Sequence, residues 1–474
     1  MDYRSFLTKH RMALEDRHAA NDDIRPHHIF EGVDFEQDNR PLLTWAQRER
    51  LISQHDIKAA RRRAAIVSAL GEFPATPVEF VDSVARQMSV RVQFNGAVTR
   101  LDLATGQRAD ILNTDLMLDC RVMNASLGAG FNRADIDDAA ARWYHEQRHA
   151  RLAAIRSQIA PRANFDWELV ARTCFDCEDT SPAFVAAVLC KFIHQVVCKL
   201  HGKPVGHHLM PVLTGRQGSG KTYFLNRLFG PLAELARSAD FRAISDDRQI
   251  DIWRSYIIFI DEMGYAERSD VDAVKNVITA DTLDRRPMRT NDSQTVRQCA
   301  TLIGASNKKL AELIRDETGN RRFVGIEYSP PADRDFIASL DWVAAWQSIK
   351  HTDADPMDEH RDMLKIVQEQ DRHYGPVEGW LRALASGSSD LGRITSDDKI
   401  RTQDLYQVYL SHRRTVTADH DPTQRTLDAF SKELARVIAH NPVICPLVKS
   451  RDRSGVVWMW TGAKPLSLVM GGRP

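Results

Sequence analysis

Leu213-Thr-Gly-Arg-Gln-Gly-Ser-Gly-Lys-Thr222 is the stretch from which the fold of this chain is read. Gly215, Gly220, Lys221 and Thr222 stand at the spacing of a phosphate-binding loop. The apolar run 209–213 predicts a strand before the loop, and 223–229 continues in a helical pattern after it. Glycines let a backbone wrap closely around an anion. Successive N–H groups and the helix N-terminus then face the phosphates. The expected nucleotide contacts are therefore Gly215, Gln217, Gly218, Ser219, Gly220, Lys221, Thr222 and Tyr223. Lys221 is suited to the β- and γ-phosphates, and the Thr222 hydroxyl to Mg²⁺.

Downstream, Ser255-Tyr-Ile-Ile-Phe-Ile260 reads as a buried parallel strand by its length and β-branched content. It delivers Asp261 and Glu262 at its C-terminal end, where ligands of open α/β sheets bind. Asp261 is expected in the Mg²⁺ shell, and Glu262 as the general base on the attacking water. A third strand, 301–305, ends in Ser306 and Asn307. The Asn307 amide can bond the attacking water or the γ-phosphate, or simply close a strand-end turn. Asp316-Glu-Thr-Gly-Asn-Arg-Arg-Phe323 then places Arg321 and Arg322 before a strand over 324–328. Either guanidinium suits a finger that neutralises transition-state charge.

These four elements in this order resemble the virulence-associated protein E family and, more broadly, the superfamily 3 helicases of phages, plasmids and satellite elements. The matching residues are Gly215–Thr222, Ile257–Glu262, Thr301–Asn307 and Thr318–Phe323, within a match over about 165–330. The resemblance implies an AAA+-type ATPase core that assembles as a ring, a hexamer by preference. Asn307 would be its sensor, and Arg321 or Arg322 the finger entering the neighbour's site. It implies ATP-driven translocation on single-stranded DNA in the replication of a mobile element. Many relatives join a primase to this ATPase. The residues upstream here are too few and lack the acidic signature, so helicase or initiator activity without priming is expected.

Away from the core the chain is quieter. Lys plus Arg equals Asp plus Glu at 64 each, so any nucleic-acid binding must come from local patches. No signal peptide is visible, and the apolar segment 184–200 is interrupted by Lys191 and His194, which reads as a buried helix and no membrane association. The seven cysteines form no regular framework, which suggests a reducing cytoplasm. Cys174-x-x-Cys177 followed by Cys190, His194 and Cys198 has ligand residues for zinc, but the last three fall along an apolar helix and read as core. Arg61-Arg62-Arg63 reads as a solvated helix face.

The expected architecture is an α/β chain in four parts: a small N-terminal α/β domain over 1–160, the P-loop ATPase over 161–350, a linker region over 351–399, and a winged-helix domain over 400–474. Two regions are candidate DNA contacts. Between the second and third core strands, a turn at 290–293 is flanked by Arg285, Arg286, Arg289 and Arg297. In superfamily 3 helicases a hairpin at this place grips DNA in the ring channel, although Arg285 or Arg286 could equally line a neighbour's ATP site. In the last part, helices over 402–415 and 423–440 precede a hairpin turning at 451–455. Lys432 and Arg436 would lie on a recognition helix, and Lys449, Arg451 and Arg453 on a wing against duplex DNA. Winged helices also dock proteins, but the basic hairpin tip favours DNA. The function expected is an ATP- and Mg²⁺-dependent DNA helicase or replication initiator. The competing reading is an ATP-driven nucleic-acid sensor or remodeller, as in phage defence, without processive unwinding.

Overall fold

The computed structural model describes residues 2–246, 248–261, 263, 268–286, 293–314, 321–330, 334–372, 374–385, 399–416, 426–440, 447–452 and 455–460. They divide into two compact units, residues 1–162 with 229–236, and residues 163–228 with 237–474.

The first unit starts with helices α1 (Tyr3–Ala19), α2 (Pro26–Phe30) and α3 (Arg40–Arg48), whose Leu7, Leu14, Ile29 and Leu42 form a small core with Ile57 of the next helix. Helix α4 (Gln54–Leu70) opens with a reciprocal Ser53–Asp56 capping box, which satisfies two backbone donors that the first turn leaves bare. Next come α5 (Pro77–Gln87), an antiparallel sheet of β1 (Arg91–Val92), β2 (Val98–Leu101) and β3 (Arg108–Ile111), then α6 (Asn113–Leu127) and α7 (Arg133–Gln158). Phe80, Val84, Leu116, Ile136 and Trp143 form the core between them.

In the second unit, α8 (Trp167–Cys174) leads to α9 (Pro182–Leu200). By length and composition α9 could cross a membrane, but 78% of its apolar window is buried within the protein, so it is a core helix. Its polar residues are satisfied in place. Gln195 exchanges two 2.8 Å hydrogen bonds with the Leu209 backbone, and buried Lys191 pairs with Asp355. Burial pushes the Cys190 thiol up to about 12, which keeps it protonated and inert. Among the described residues no three His, Cys, Asp or Glu side chains gather as a metal-holding group.

The sheet follows: β4 (Met210–Thr214), α10 (Lys221–Phe229), β5 (Ala236–Ser238), α11 (Phe241–Ser245), β6 (Ile257–Ile260), α12 (Arg268–Thr279), the hairpin β7 (Thr282–Arg285) and β8 (Gln294–Arg297), β9 (Thr301–Ala305), α13 (Leu310–Leu313) and β10 (Phe323–Glu327). Its order is β10-β4-β9-β6-β5, and β4 pairs in parallel with β10 and β9, as β9 does with β6. Every residue of β4, β6 and β9 is buried, as expected of parallel strands covered on both faces. Parallel strands collect their C-terminal ends on one rim, and that rim carries the site.

Helices α14 (Asp335–Ser339), α15 (Trp342–Gln347), α16 (Arg361–Gln370) and α17 (Pro376–Ala385) come next. The region 351–399, read from sequence as a linker, therefore holds two helices. Asp, Ser and Gly crowd its ends and hide the amphipathic run between them. Val377, Trp380, Leu381 and Leu384 of α17 are buried with Leu405, Tyr409, Phe430 and Trp458 in one core. The rest of that core comes from β11 (Lys399–Arg401), α18 (Thr402–Val416), α19 (Leu427–His440), β12 (Leu447–Asp452) and β13 (Gly455–Trp460). The three strands pair antiparallel in the order β11-β13-β12.

Candidate active site

Strand β4 ends at Thr214, and the chain turns through Gly215–Gly220 into α10 at Lys221. Gly215 has φ +140°, and a Cβ there would lie 2.6 Å from the carbonyl oxygen of Tyr328, so only glycine fits. Gly218 also has a positive φ, +76°, and a Cβ there would meet nothing, so the turn stays open on that side. Lys221 is buried, and its ammonium donates to the carbonyl oxygens of Gly215 and Arg216 at 2.8 Å each. The lysine thus lies across the mouth of its own loop, where a triphosphate would meet it.

The two halves of the site touch. The Thr222 hydroxyl donates to Asp261 Oδ1 at 3.1 Å, joining the first turn of α10 to the residue that follows β6. A hydroxyl and a carboxylate oxygen so close suit the inner or water-mediated shell of one divalent cation. Ser306, just past β9, is buried, and its N–H donates to the Leu213 carbonyl at 2.9 Å. That bond anchors Asn307 beside the loop. Gln217, Lys221, Thr222, Asp261 and Asn307 line one cavity of about 280 Å³. A larger cavity of about 540 Å³ lies on the other flank of the turn, lined by Asp176, Tyr223, Tyr328, Arg334 and Ile337. The narrow polar chamber beside a wider one with aromatic walls fits a triphosphate and its nucleoside.

Arg321 and Arg322 are elsewhere. In the β10–β4 register Phe323 faces Met210 and Glu327 faces Thr214. The arginines precede Phe323, so they sit at the N-terminal rim, while the loop leaves from the C-terminal rim. Four strand steps separate these rims by roughly 13 Å. The Arg322 carbonyl accepts from Met210 N at 2.8 Å, which fixes that end. Burial pulls the Arg322 guanidinium somewhat below its ordinary value, with Arg321 adding repulsion.

Residues 162–370 match the family model described as virulence-associated protein E-like domain. Over those residues the chain is similar to that family. No curated relative matches the chain. Among solved structures, the apo C-terminal region of NrS-1 aligns at 11% identity, over 82% of this chain and all of that one, with a TM-score of 0.39. A JCV helicase bound to a small organic molecule aligns at 10% identity, over 68% of this chain and 82% of that one, with a TM-score of 0.27. Superpositions this loose add nothing to the geometry above.

The remaining expected residues are distributed unevenly. Glu262, Arg289 and Arg453 lie outside the described residues. Arg286 and Arg297 are exposed on the β7–β8 hairpin. Arg285 is turned inward, its guanidinium 5.5 Å from the ring centre of buried Trp253. Lys432 pairs with Asp428 at 2.8 Å and Arg436 with Glu433 at 2.6 Å, all on α19. Lys449 and Arg451 are exposed on β12, with the Lys449 ammonium 5.9 Å from the Trp458 ring centre.

Sequence reading missed Arg334. It precedes α14 and lines both cavities. Its guanidinium stands 5.1 Å from the Tyr223 ring centre, with Nε and Nη2 3.9 Å from where a Gly220 Cβ would be. Nothing in its own segment marks it. Only the pairing of β10 beside β4 brings Arg334 over the loop.

Proposed function

We propose that this chain is an ATP-hydrolysing, ring-forming motor of a mobile element, a helicase or replication initiator that moves on single-stranded DNA. The contact between the Thr222 hydroxyl and Asp261 carries this reading. It brings the triphosphate loop and a carboxylate to one cavity, with Asn307 on its wall. The sheet order β10-β4-β9-β6-β5 supports an AAA+-type core, since it sets the sensor strand β9 between the loop strand and the carboxylate strand.

In this reading Lys221 holds the β- and γ-phosphates, and Thr222 with Asp261 holds Mg²⁺, which supplies charge neutralisation at the transferred phosphoryl group. Asn307 positions the attacking water, Glu262 takes its proton, and Arg334 steadies the nucleotide from the same chain. Arg321 or Arg322 serves the next subunit's site, because both lie on the rim away from their own loop. Head-to-tail contacts that close make a ring.

The C-terminal succession α17-β11-α18-α19-β12-β13, with strand order β11-β13-β12, supports a winged helix with α19 as recognition helix. The ion pairs of Lys432 and Arg436 are exposed, and such pairs contribute only about 0–1 kcal/mol, so phosphates can displace them. The test is strand displacement on a forked duplex by wild type and Lys221→Ala. ATP-dependent unwinding lost in the variant is the expected result. Hydrolysis without displacement or translocation would turn the reading towards a sensor or remodeller.

A further inference from the structure

A third cavity, of about 230 Å³, opens at the N-terminal rim of the sheet, between the end of α9 and the foot of the β7–β8 hairpin. Lys199, Lys203, His208, Asp281 and Arg297 contribute its polar groups. The site reading above uses neither Lys199 nor Lys203.

Lys199 sets the chemistry. Its ammonium donates to Gln298 Oε1 at 2.8 Å and to the carbonyl oxygen of Ala300. Both acceptors are neutral, and among the described residues no carboxylate forms an ion pair with it. Burial pulls this ammonium down to about 8, so it still carries its charge at neutral pH. A cation in the last turn of a helix gains something from the carbonyl ends. That accounts for one cation there, but not for the convergence of three.

The other two are brought in by backbone geometry. Gly202 has φ +67°, and Lys203 N donates to the Cys198 carbonyl at 2.8 Å, so the chain folds back tightly at the end of α9. Arg297 pairs with Thr282 at the hairpin foot, and its Nη2 comes within 3.5 Å of where a Gly202 Cβ would be. Neither Lys203 nor Arg297 has a carboxylate partner among the described residues. Asp281 is the only acidic residue among the described residues of the lining, and burial draws His208 down to about 4, leaving it neutral. Three cations thus face one acidic group across a chamber of phosphate size.

We infer that this cavity is a second anion site, in which Lys199, Lys203 and Arg297 hold one backbone phosphate of single-stranded DNA. The hairpin foot favours a strand over a free anion, because exposed Arg286 on the same hairpin extends the basic track. The choice of DNA rests on the proposed function, whereas the anion site does not.

The test uses the full chain with Lys221→Ala, so that the nucleotide loop takes no part, and a fluorescein-labelled oligothymidylate as probe. Adding Lys203→Glu and Arg297→Glu should weaken binding about tenfold or more. It should also flatten the dependence of log affinity on log salt by roughly 1.4, the share of two phosphate contacts on a single strand. Lys350→Glu with Lys365→Glu makes the same charge change at exposed positions elsewhere, and should have a much smaller effect. Equal losses in the two pairs would overturn the site. Lys199→Met, checked for folding by its melting curve, should weaken binding without reversing any surface charge. If pyrophosphate raises the melting temperature and Lys203→Glu with Arg297→Glu abolishes only that effect, the occupant is a free polyphosphate and the DNA assignment fails. Absence of oligonucleotide binding by the parent would also sink the assignment, while ATP hydrolysis by the wild-type chain would leave the nucleotide site standing.

Discussion

The two rims of the parallel sheet carry opposite chemistry. At the C-terminal rim Lys221 rests on loop carbonyls, and Thr222 leans on Asp261. At the N-terminal rim cations gather: Arg321 and Arg322 stand before β10, and Lys199, Lys203 and Arg297 face Asp281 around the hairpin foot. In the proposed function the first rim would enclose a polyanion with its metal. The second would be presented to a polyanion that arrives from outside the chain. Under the same proposal, head-to-tail assembly would bring Arg321 and Arg322 of one subunit to the next subunit's nucleotide.

The largest effect that would sharpen this contrast is expected from Arg321→Ala with Arg322→Ala. Turnover should fall by about 10³-fold or more while nucleotide affinity stays near wild type. Mixing this variant with Lys221→Ala protein should restore part of the ATPase activity, since each can complete a site that the other lacks. If the arginine variant loses affinity as steeply as turnover, and mixing restores nothing, the rims are not divided as described.

Asp261→Asn comes next. It should weaken Mg²⁺-dependent nucleotide binding about tenfold or more, as befits loss of one charged ligand, and leave Mg²⁺-free binding nearly unchanged. Calorimetric titration with and without Mg²⁺ reads this directly. Equal weakening in both conditions would mean that Asp261 supports the loop and not the metal.

Gly215→Ala probes how tightly the C-terminal rim is built. The added Cβ meets the Tyr328 carbonyl oxygen in a left-handed backbone, so unfolding free energy should drop by about 1–3 kcal/mol in denaturant melts. Gly218→Ala also carries strain, but meets no neighbour and should cost less.

The last comparison concerns the N-terminal rim. Lys199 has its folded value lowered to about 8 from an ordinary 10.5, because burial disfavours the charged form. Between those values the unfolded chain binds the proton and the folded chain does not, so stability should rise with pH across that window. Below about 8 both states are charged and the slope vanishes. Wild type compared with Lys199→Met over this range isolates the contribution, and identical slopes would mean that Lys199 is not held as a desolvated cation.

The loop Gly215–Thr222, the strand leading to Asp261 and the strand ending at Asn307 were legible because each is a local pattern. A glycine spacing, a β-branched run and an acidic terminus keep their meaning whatever surrounds them. Helix α17 was harder to read, since Trp380 and its neighbours acquire an apolar face only when α18, α19 and Trp458 supply a core. Arg285 shows the reverse case. In sequence it is one of several arginines around a turn, and only Trp253, distant along the chain, turns it inward.

By itself the sequence determined the order of the elements around the candidate site and the ligand class proposed for it, because phosphate and metal recognition need particular residues at short spacing. The tertiary structure decided which side of the sheet each charge occupies. Strand pairing set Arg334 over the loop, kept Arg321 and Arg322 away from it, and drew Lys199, Lys203 and Arg297 together. Those placements depend on strand register and on where crossovers return, which no short stretch of residues encodes.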